Sequence, residues 1–312
     1  MKTVNLFFAC DDNYVPFLAV TLTSIQENCD PGRKYDVRVL HTGLKQENRD
    51  RLMASFSKPN FSLCFWDIGG ILEKYADRLY TRDYYSKSTY YRLFIPELFP
   101  QLKKALYLDC DVVVTGDICE LYDRDMGDNL VAAVPDSMVT AIEPFARYVQ
   151  NRLRVKPERY FNAGVLMMNL AEMRNMQFTE VFLKLLDRVT FRVAQDQDYL
   201  NVICKDRVYY LGREWNTMPG AAFCEEPKLI HYNLDCKPWW RDDVPFSDVF
   251  WDYAQRSDFL PEILEIRAGF TPERIEHSAE QTRNLIALGQ RQSRQRTRNM
   301  YLNWKIRQVV NG

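Results

Sequence analysis

Residues 2–41 read KTVNLFFACDDNYVPFLAVTLTSIQENCDPGRKYDVRVLH, and their pattern sets the fold class. Lys2–Cys10 is short and apolar and ends at the turn formers Asp11, Asp12 and Asn13, as a buried strand does. Phe17–Asn28 follows with Leu18, Leu22 and Ile25 at helical spacing, behind a Pro16 that suits the first helical turn. Tyr35–His41 then alternates like a strand. Downstream, Lys45–Ser57 predicts a polar helix with Leu52, Met53 and Phe56 on one face, and Phe61–Trp66 another strand. Strands alternating with helices predict an α/β fold with a mixed, mostly parallel sheet covered on both faces. In such sheets ligands sit beyond the carboxyl ends of the strands, so the residues just after each strand carry the search for a site.

The rest of the chain extends the pattern. A Tyr-rich loop over 75–91 leads into a short helix that ends at Phe94. Residues 105–114 (ALYLDCDVVV) form one apolar strand-like segment broken only by Asp109 and Asp111. Leu130–Val134, Phe161–Leu170 and Leu229–Tyr232 read as strands; Ala171–Val189 and Asp196–Cys204 read as helices. Pro245–Gly269 is mostly helical, and a basic helix follows. These readings divide the chain into a catalytic domain, 1–244, and a helical C-terminal extension, 245–312.

With 46% hydrophobic residues, the 312-residue chain has enough apolar content for a sizeable core. The formal net charge is −1, yet seven basic and no acidic residues follow Glu280, so a mildly acidic body carries a basic tail. No secretory leader and no apolar run of roughly 18 residues is visible. Eight Cys lie at irregular spacings without a C-x-x-C, which speaks against a zinc ribbon and for reduced thiols in the cytoplasm.

Asp109-x-Asp111 is the first candidate for chemistry. On an extended strand, residues two apart share a face, so two carboxylates can hold one hard divalent cation. The same spacing recurs at Asp123–Asp125 and Asp196–Asp198, but only Asp109 and Asp111 interrupt an apolar strand, where unpaired acids are costly. The alternative is a strand end with two solvated acids. His231, at the end of an apolar strand, would complete a mixed oxygen–nitrogen ligand set that favours Mn²⁺ over Mg²⁺, although a lone His is more often structural. Gln195-Asp196-Gln197-Asp198 opens a helix; a cap needs one such residue, and four leave side chains for hydroxyl recognition. Lys237-Pro238-Trp239-Trp240 offers a Lys for phosphate and a Trp wall, or else an ordinary loop.

The motifs gain weight from their order. Ala9-Cys10-Asp11-Asp12-Asn13-Tyr14, Ser88-Thr89-Tyr90-Tyr91-Arg92-Leu93, Leu106-Tyr107-Leu108-Asp109-Cys110-Asp111, Phe161-Asn162-Ala163-Gly164-Val165, Asp196-Gln197-Asp198 and His231-Tyr232 with Lys237-Pro238-Trp239 follow one another along the chain. Together they resemble family 8 of the retaining glycosyltransferases, over roughly residues 3–242. Within that family the likeness is to bacterial lipopolysaccharide galactosyl- and glucosyltransferases and, more distantly, glycogenin.

The resemblance implies a GT-A-type nucleotide-sugar-binding domain and retaining transfer of galactose or glucose from a UDP-sugar to a saccharide acceptor in cell-surface glycan or lipopolysaccharide. It places Ala9, Asp11, Asn13 and Tyr14 around the nucleoside, and makes Asp109, Asp111 and His231 ligands of Mn²⁺, with Mg²⁺ as the alternative. It sets Lys237 on the diphosphate, Arg92, Asn162 and Asp196 around the donor sugar, Gln197 near the anomeric carbon and, on a looser match, Asp136 on the acceptor side. One departure stands out: the family commonly has Gly three residues after the metal-binding His, and this chain has Leu234.

A hydrolase with paired carboxylates is disfavoured by the Asp11–Asn13 segment and Lys237. A non-catalytic nucleotide-sugar- or lipid-binding protein of the same fold remains as the alternative, with Leu234 as its support. The tail, over residues 283–307, interleaves basic residues with aromatics and predicts peripheral contact with anionic lipid at the inner face of the cell membrane, or a helix packed on the body. No nucleic-acid partner is expected, since no groove-reading motif accompanies the basic segment.

Overall fold

The computed structural model describes residues 2–81, 87–220 and 224–310, with the backbone alone at 296 and 297. Part of the Tyr-rich loop expected over 75–91 therefore lies outside the described residues; Lys87–Phe94 is a 3₁₀ helix. The chain packs into two compact units. One takes the chain up to Leu72, Ala105–Asp125 and Gly212–Ala279; the other takes Glu73–Lys104, Met126–Leu211 and the chain from Glu280 on.

In the first unit, β1 (Thr3–Ala9), β2 (Lys34–His41), β3 (Phe61–Asp67) and β4 (Ala105–Leu108) lie in the order β3-β2-β1-β4 with every pairing parallel. The helix Val15–Asn28 makes the crossover between β1 and β2. Its residues Val15–Ile25 are all buried, as expected of a helix that is apolar on most sides. A second, antiparallel pair joins β5 (Val112–Val114) to β9 (Leu229–His231), with Val112 opposite His231. In the second unit, β6 (Val131–Ala133) runs antiparallel to β7 (Val165–Met168) and parallel to β8 (Val208–Tyr210). The expected α/β class with mostly parallel strand pairing is therefore the observed one.

Three expectations need correction, and one strand was not foreseen. The segment 105–114 is two strands: Asp109 to Asp111 leave the ladder in a turn, β4 pairs with β1, and β5 pairs with β9. Two carboxylates buried within one continuous strand would lack partners, and the turn frees them. Ala171–Val189 is two helices, Leu170–Asn175 and Phe178–Arg188, because Gln177 takes a left-handed φ of 56° that no α-helix continues. The strand expected over Phe161–Leu170 is limited to Val165–Met168. The short strand β8 had no recognisable alternation.

The C-terminal part forms helices Ser247–Ala254, Leu260–Ala268, Pro272–Ser293 and Arg296–Val310. Leu302, Ile306 and Val309 are buried on one face of the last helix, while Met300, Tyr301 and Trp304 stand exposed on the other. No helix among the described residues is long and apolar enough to cross a membrane.

Candidate functional site

The first unit gathers Asp109, Asp111 and His231. One ligand atom from each lies within 4.8 Å of the other two. His231 Nε2 stands 3.3 Å from Asp111 Oδ1 and 3.7 Å from Asp109 Oδ2. This convergence follows from local structure. Cys110 points back to donate its thiol to the Ala9 carbonyl, 3.2 Å away, so its two neighbours face outward. From the crossover helix, the Thr21 hydroxyl reaches the carbonyls of Cys110 and Val112 at 3.0 and 2.7 Å, and Ser24 Oγ accepts from the Val114 amide. The Tyr232 amide donates to the Asp111 carbonyl at 3.0 Å, which ties β9 and its terminal His to the turn.

Each ligand is also oriented by a neighbour. The Tyr107 hydroxyl donates to Asp109 Oδ1 at 3.0 Å. His231 Nδ1 lies 3.0 Å from Asn216 Oδ1, so the ring donates there and turns the Nε2 lone pair toward the two carboxylates. Lys237, 2% exposed, donates to Asp111 Oδ2 and to the Tyr232 carbonyl. Burial works against charge on Asp111, but the Lys237 ammonium outweighs it and holds the carboxyl well below the usual carboxylate range. Among the described residues, the buried Asp111 Oδ1 has no hydrogen-bond donor of its own. An ionised, buried carboxylate oxygen without a donor, facing a second carboxylate and an imidazole lone pair, suits a hard or borderline divalent cation. The donor set therefore fits a metal ion.

Asp11 Oδ1 accepts from the amides of Asn13 and Tyr14 at 3.0 and 3.3 Å, which shapes the turn after β1 and leaves Asn13 exposed. Trp239, proposed from sequence as a wall, is core instead: it is 1% exposed and stacks on Phe17 at 3.9 Å. Its burial anchors the loop that delivers Lys237.

Leu234, in that same loop, has φ +51°, the left-handed conformation that favours Gly. The position demands glycine's backbone while carrying a Cβ, at a cost of roughly 1–2 kcal/mol. A Gly there also loosens the unfolded chain by roughly 0.5–1 kcal/mol. Leu234→Gly is therefore expected to raise stability by roughly 0.5–1 kcal/mol in urea denaturation; a lower midpoint would contradict the strain reading.

In the second unit, a separate polar cluster surrounds the start of the helix Gln195–Cys204. Gln197 Oε1 accepts from the Ala163 amide at 2.9 Å, and its Nε2 donates to Asp136 Oδ2 at 3.0 Å. Asn162 Nδ2 donates to the same Asp136 oxygen at 3.2 Å. Arg92 Nε lies 3.2 Å from Asp196 Oδ2, both side chains being almost fully buried, and the guanidinium also donates to the carbonyls of Thr89 and Ala163. Thus Arg92, Asp136, Asn162, Asp196 and Gln197 form one network.

Asp198, unlike its neighbours Asp196 and Gln197, is held in the core. It is fully buried and accepts from the hydroxyls of Tyr148 and Tyr160, each at 2.7 Å, and from the Ala194 amide at 3.1 Å. Burial pushes its carboxyl up. Its task is to fix the helix start that presents Asp196 and Gln197. Sequence reasoning also missed Asn216 and Tyr107. Tyr107 carried a signal, lying two residues before Asp109; Asn216 carried none.

Comparison with known proteins agrees with this geometry. The family model described as "Glycosyl transferase family 8" matches residues 5–243. General stress protein A of Bacillus subtilis is 27% identical over 275 residues, which is 81% of this chain and 93% of that protein. The lipopolysaccharide 1,2-glucosyltransferase of Escherichia coli K12 is 32% identical over 174 residues, half of each protein, so this chain matches only half the length of that relative. Among solved structures, the galactosyltransferase LgtC in complex with donor and acceptor sugar analogues superposes with a TM-score of 0.69 at 27% identity, covering 82% of this chain and 96% of its own. The converging Asp-x-Asp and His, the strand pairings and a family match over most of the length have one reading: this chain belongs to glycosyl transferase family 8.

Proposed function

We propose that the chain transfers a hexose, galactose or glucose, from its uridine-diphosphate sugar to a saccharide acceptor, with retention at the anomeric carbon. The observation that carries the reading is the Asp109–Asp111–His231 cluster, with one donorless Asp111 oxygen and the buried Lys237 ammonium beside it. When bound, a divalent ion, Mn²⁺ ahead of Mg²⁺ on account of the imidazole, supplies positive charge to the departing diphosphate.

The chain's own residues divide the remaining work. Ala9, Asp11, Asn13 and Tyr14 receive the nucleoside. Lys237 offsets charge on the leaving diphosphate. Arg92, Asp196 and Asn162 hold the sugar hydroxyls and fix the ring. Gln197 stabilises positive charge at the anomeric carbon. A neutral amide is a poor nucleophile, which favours a front-face displacement. In it the carbon–oxygen bond to the diphosphate breaks, the acceptor oxygen bonds to the same face, and the acceptor proton passes to the leaving phosphate oxygen. Asp136, already bonded to Gln197 and Asn162, lies on the acceptor side of this assignment.

The names of the E. coli relative and of LgtC support a lipopolysaccharide or other cell-surface glycan as acceptor. The exposed Met300, Tyr301 and Trp304 beside the basic residues of the tail support peripheral contact with anionic membrane from the cytoplasmic side.

The test is release of uridine diphosphate from UDP-galactose and UDP-glucose, with saccharide acceptors present. Release from one of them, dependent on Mn²⁺ and abolished by chelation, is expected. Absence of release from either would contradict the proposal, and tight donor binding without release would favour the non-catalytic alternative.

A further inference from the structure

The second unit holds a cavity of about 390 Å³ that the transferase chemistry leaves unused. Among the described residues, six cationic side chains line it, Arg152, Arg188, Arg192, Arg291, Arg298 and Lys305, and no carboxylate does. They come from three separate stretches: the π-helical segment Val149–Leu153, the end of the helix Phe178–Arg188 with the loop after it, and the two C-terminal helices. The convergence is thus a product of the fold and not of one basic segment.

The deepest of the six is Arg152, 5% exposed. Its guanidinium donates to Asn299 Oδ1 at 2.9 Å, but its Nε has no hydrogen-bond partner among the described residues. Gln292, 7% exposed and also lining the cavity, has an Oε1 with no partner among the described residues. Burial lowers the affinity of Arg152 for its proton; Tyr148 and the more distant Asp198 carboxylate offset part of this, and Arg298 adds like-charge repulsion. Six like charges without a lining acid repel one another, and a buried guanidinium with an idle donor is costly. A multiply charged anion relieves the repulsion among them. Arginine's planar fork matches phosphoryl oxygens in particular.

We propose that this cavity is a binding site for a phosphoryl anion, presented either free or as the phosphate of a lipid headgroup. The proposal goes beyond the transferase reading and does not depend on it.

The test uses the full chain in chelator, with inorganic pyrophosphate as probe in isothermal titration. The exposed residues Arg188, Arg192 and Arg298 are replaced together by Ala, since their exposure keeps the fold intact. Pyrophosphate is expected to bind the unaltered chain and Lys237→Ala alike, and to bind the triple variant at least about tenfold more weakly, which corresponds to the loss of one charge-assisted bond. Absence of binding, or binding lost in Lys237→Ala and kept in the triple variant, would overturn the proposal.

Flotation with phosphatidylglycerol and phosphatidylcholine vesicles separates the sources. Anionic-vesicle binding that pyrophosphate competes away and the triple variant loses identifies a lipid headgroup. Pyrophosphate binding without vesicle binding identifies a free phosphorylated ligand. Vesicle binding indifferent to both would show general surface charge and would contradict a discrete site.

Discussion

Asp109→Ala is expected to cost on the order of a thousandfold in donor turnover with the fold intact, since a metal centre supplies several kcal/mol of charge stabilisation. Asp111→Ala is expected to cost as much turnover and, in addition, about 3–5 kcal/mol of stability. The two carboxylates sit two residues apart and face the same His231, yet their surroundings differ. The Asp109 side chain is 27% exposed, so losing it leaves no buried charge behind. Asp111 is the ion-pair partner of Lys237, whose side chain is 2% exposed. Removing Asp111 strands that ammonium in the core, and breaking one side of a buried pair costs far more than the pair contributes. Steady-state turnover and urea denaturation on the same two preparations check both halves. Normal turnover in Asp109→Ala would refute the metal assignment; equal stability of the two variants would refute the buried pairing.

Asp198→Ala should cost roughly 3–5 kcal/mol, the sum of a few buried donors left without an acceptor. Two tyrosine hydroxyls and one backbone amide converge on this carboxyl, and the group is 0% exposed. The pH dependence identifies the cause. Burial raises the folded carboxyl above its unfolded value, so the native state holds more protons than the unfolded chain. The contribution is fully present below the unfolded value, near 3.9, and is lost as pH rises through the raised folded one. Asp198→Asn, which keeps the shape and carries no charge, should flatten that slope. Urea midpoints of the three proteins across this window are the measurement. A loss below about 1 kcal/mol in Asp198→Ala would show that the tyrosines find other partners.

Much of this was legible in the sequence for identifiable physical reasons. Strands β1 to β3 and the helices between them carry their periodicity in local residues, and the structure reproduces their bounds within a few positions. Asp109, Asp111 and His231 could be marked because acids and an imidazole interrupting apolar strands need a reason to be there. The turn at Asp109–Asp111 was not legible, since ALYLDCDVVV looks continuous until β1 and β9 claim its two halves. The core places of Trp239 and Asp198 were not legible either: whether a polar or aromatic residue faces a ligand or the core depends on partners such as Phe17, Tyr148 and Tyr160, which no local pattern announces. The basic cavity was half visible, as a positive tail. That Arg152, Arg188 and Arg192 join it is a fact of tertiary structure alone.

The central claim is that a carboxylate pair and an imidazole, 120 residues apart along the chain, share one metal ion. Anomalous diffraction at the manganese edge, from crystals grown with Mn²⁺ and uridine diphosphate, reads this directly. One strong peak coordinated by Asp109, Asp111 and His231 together is expected. A peak bound elsewhere, with the nucleotide in place and these three side chains free of metal, would contradict it.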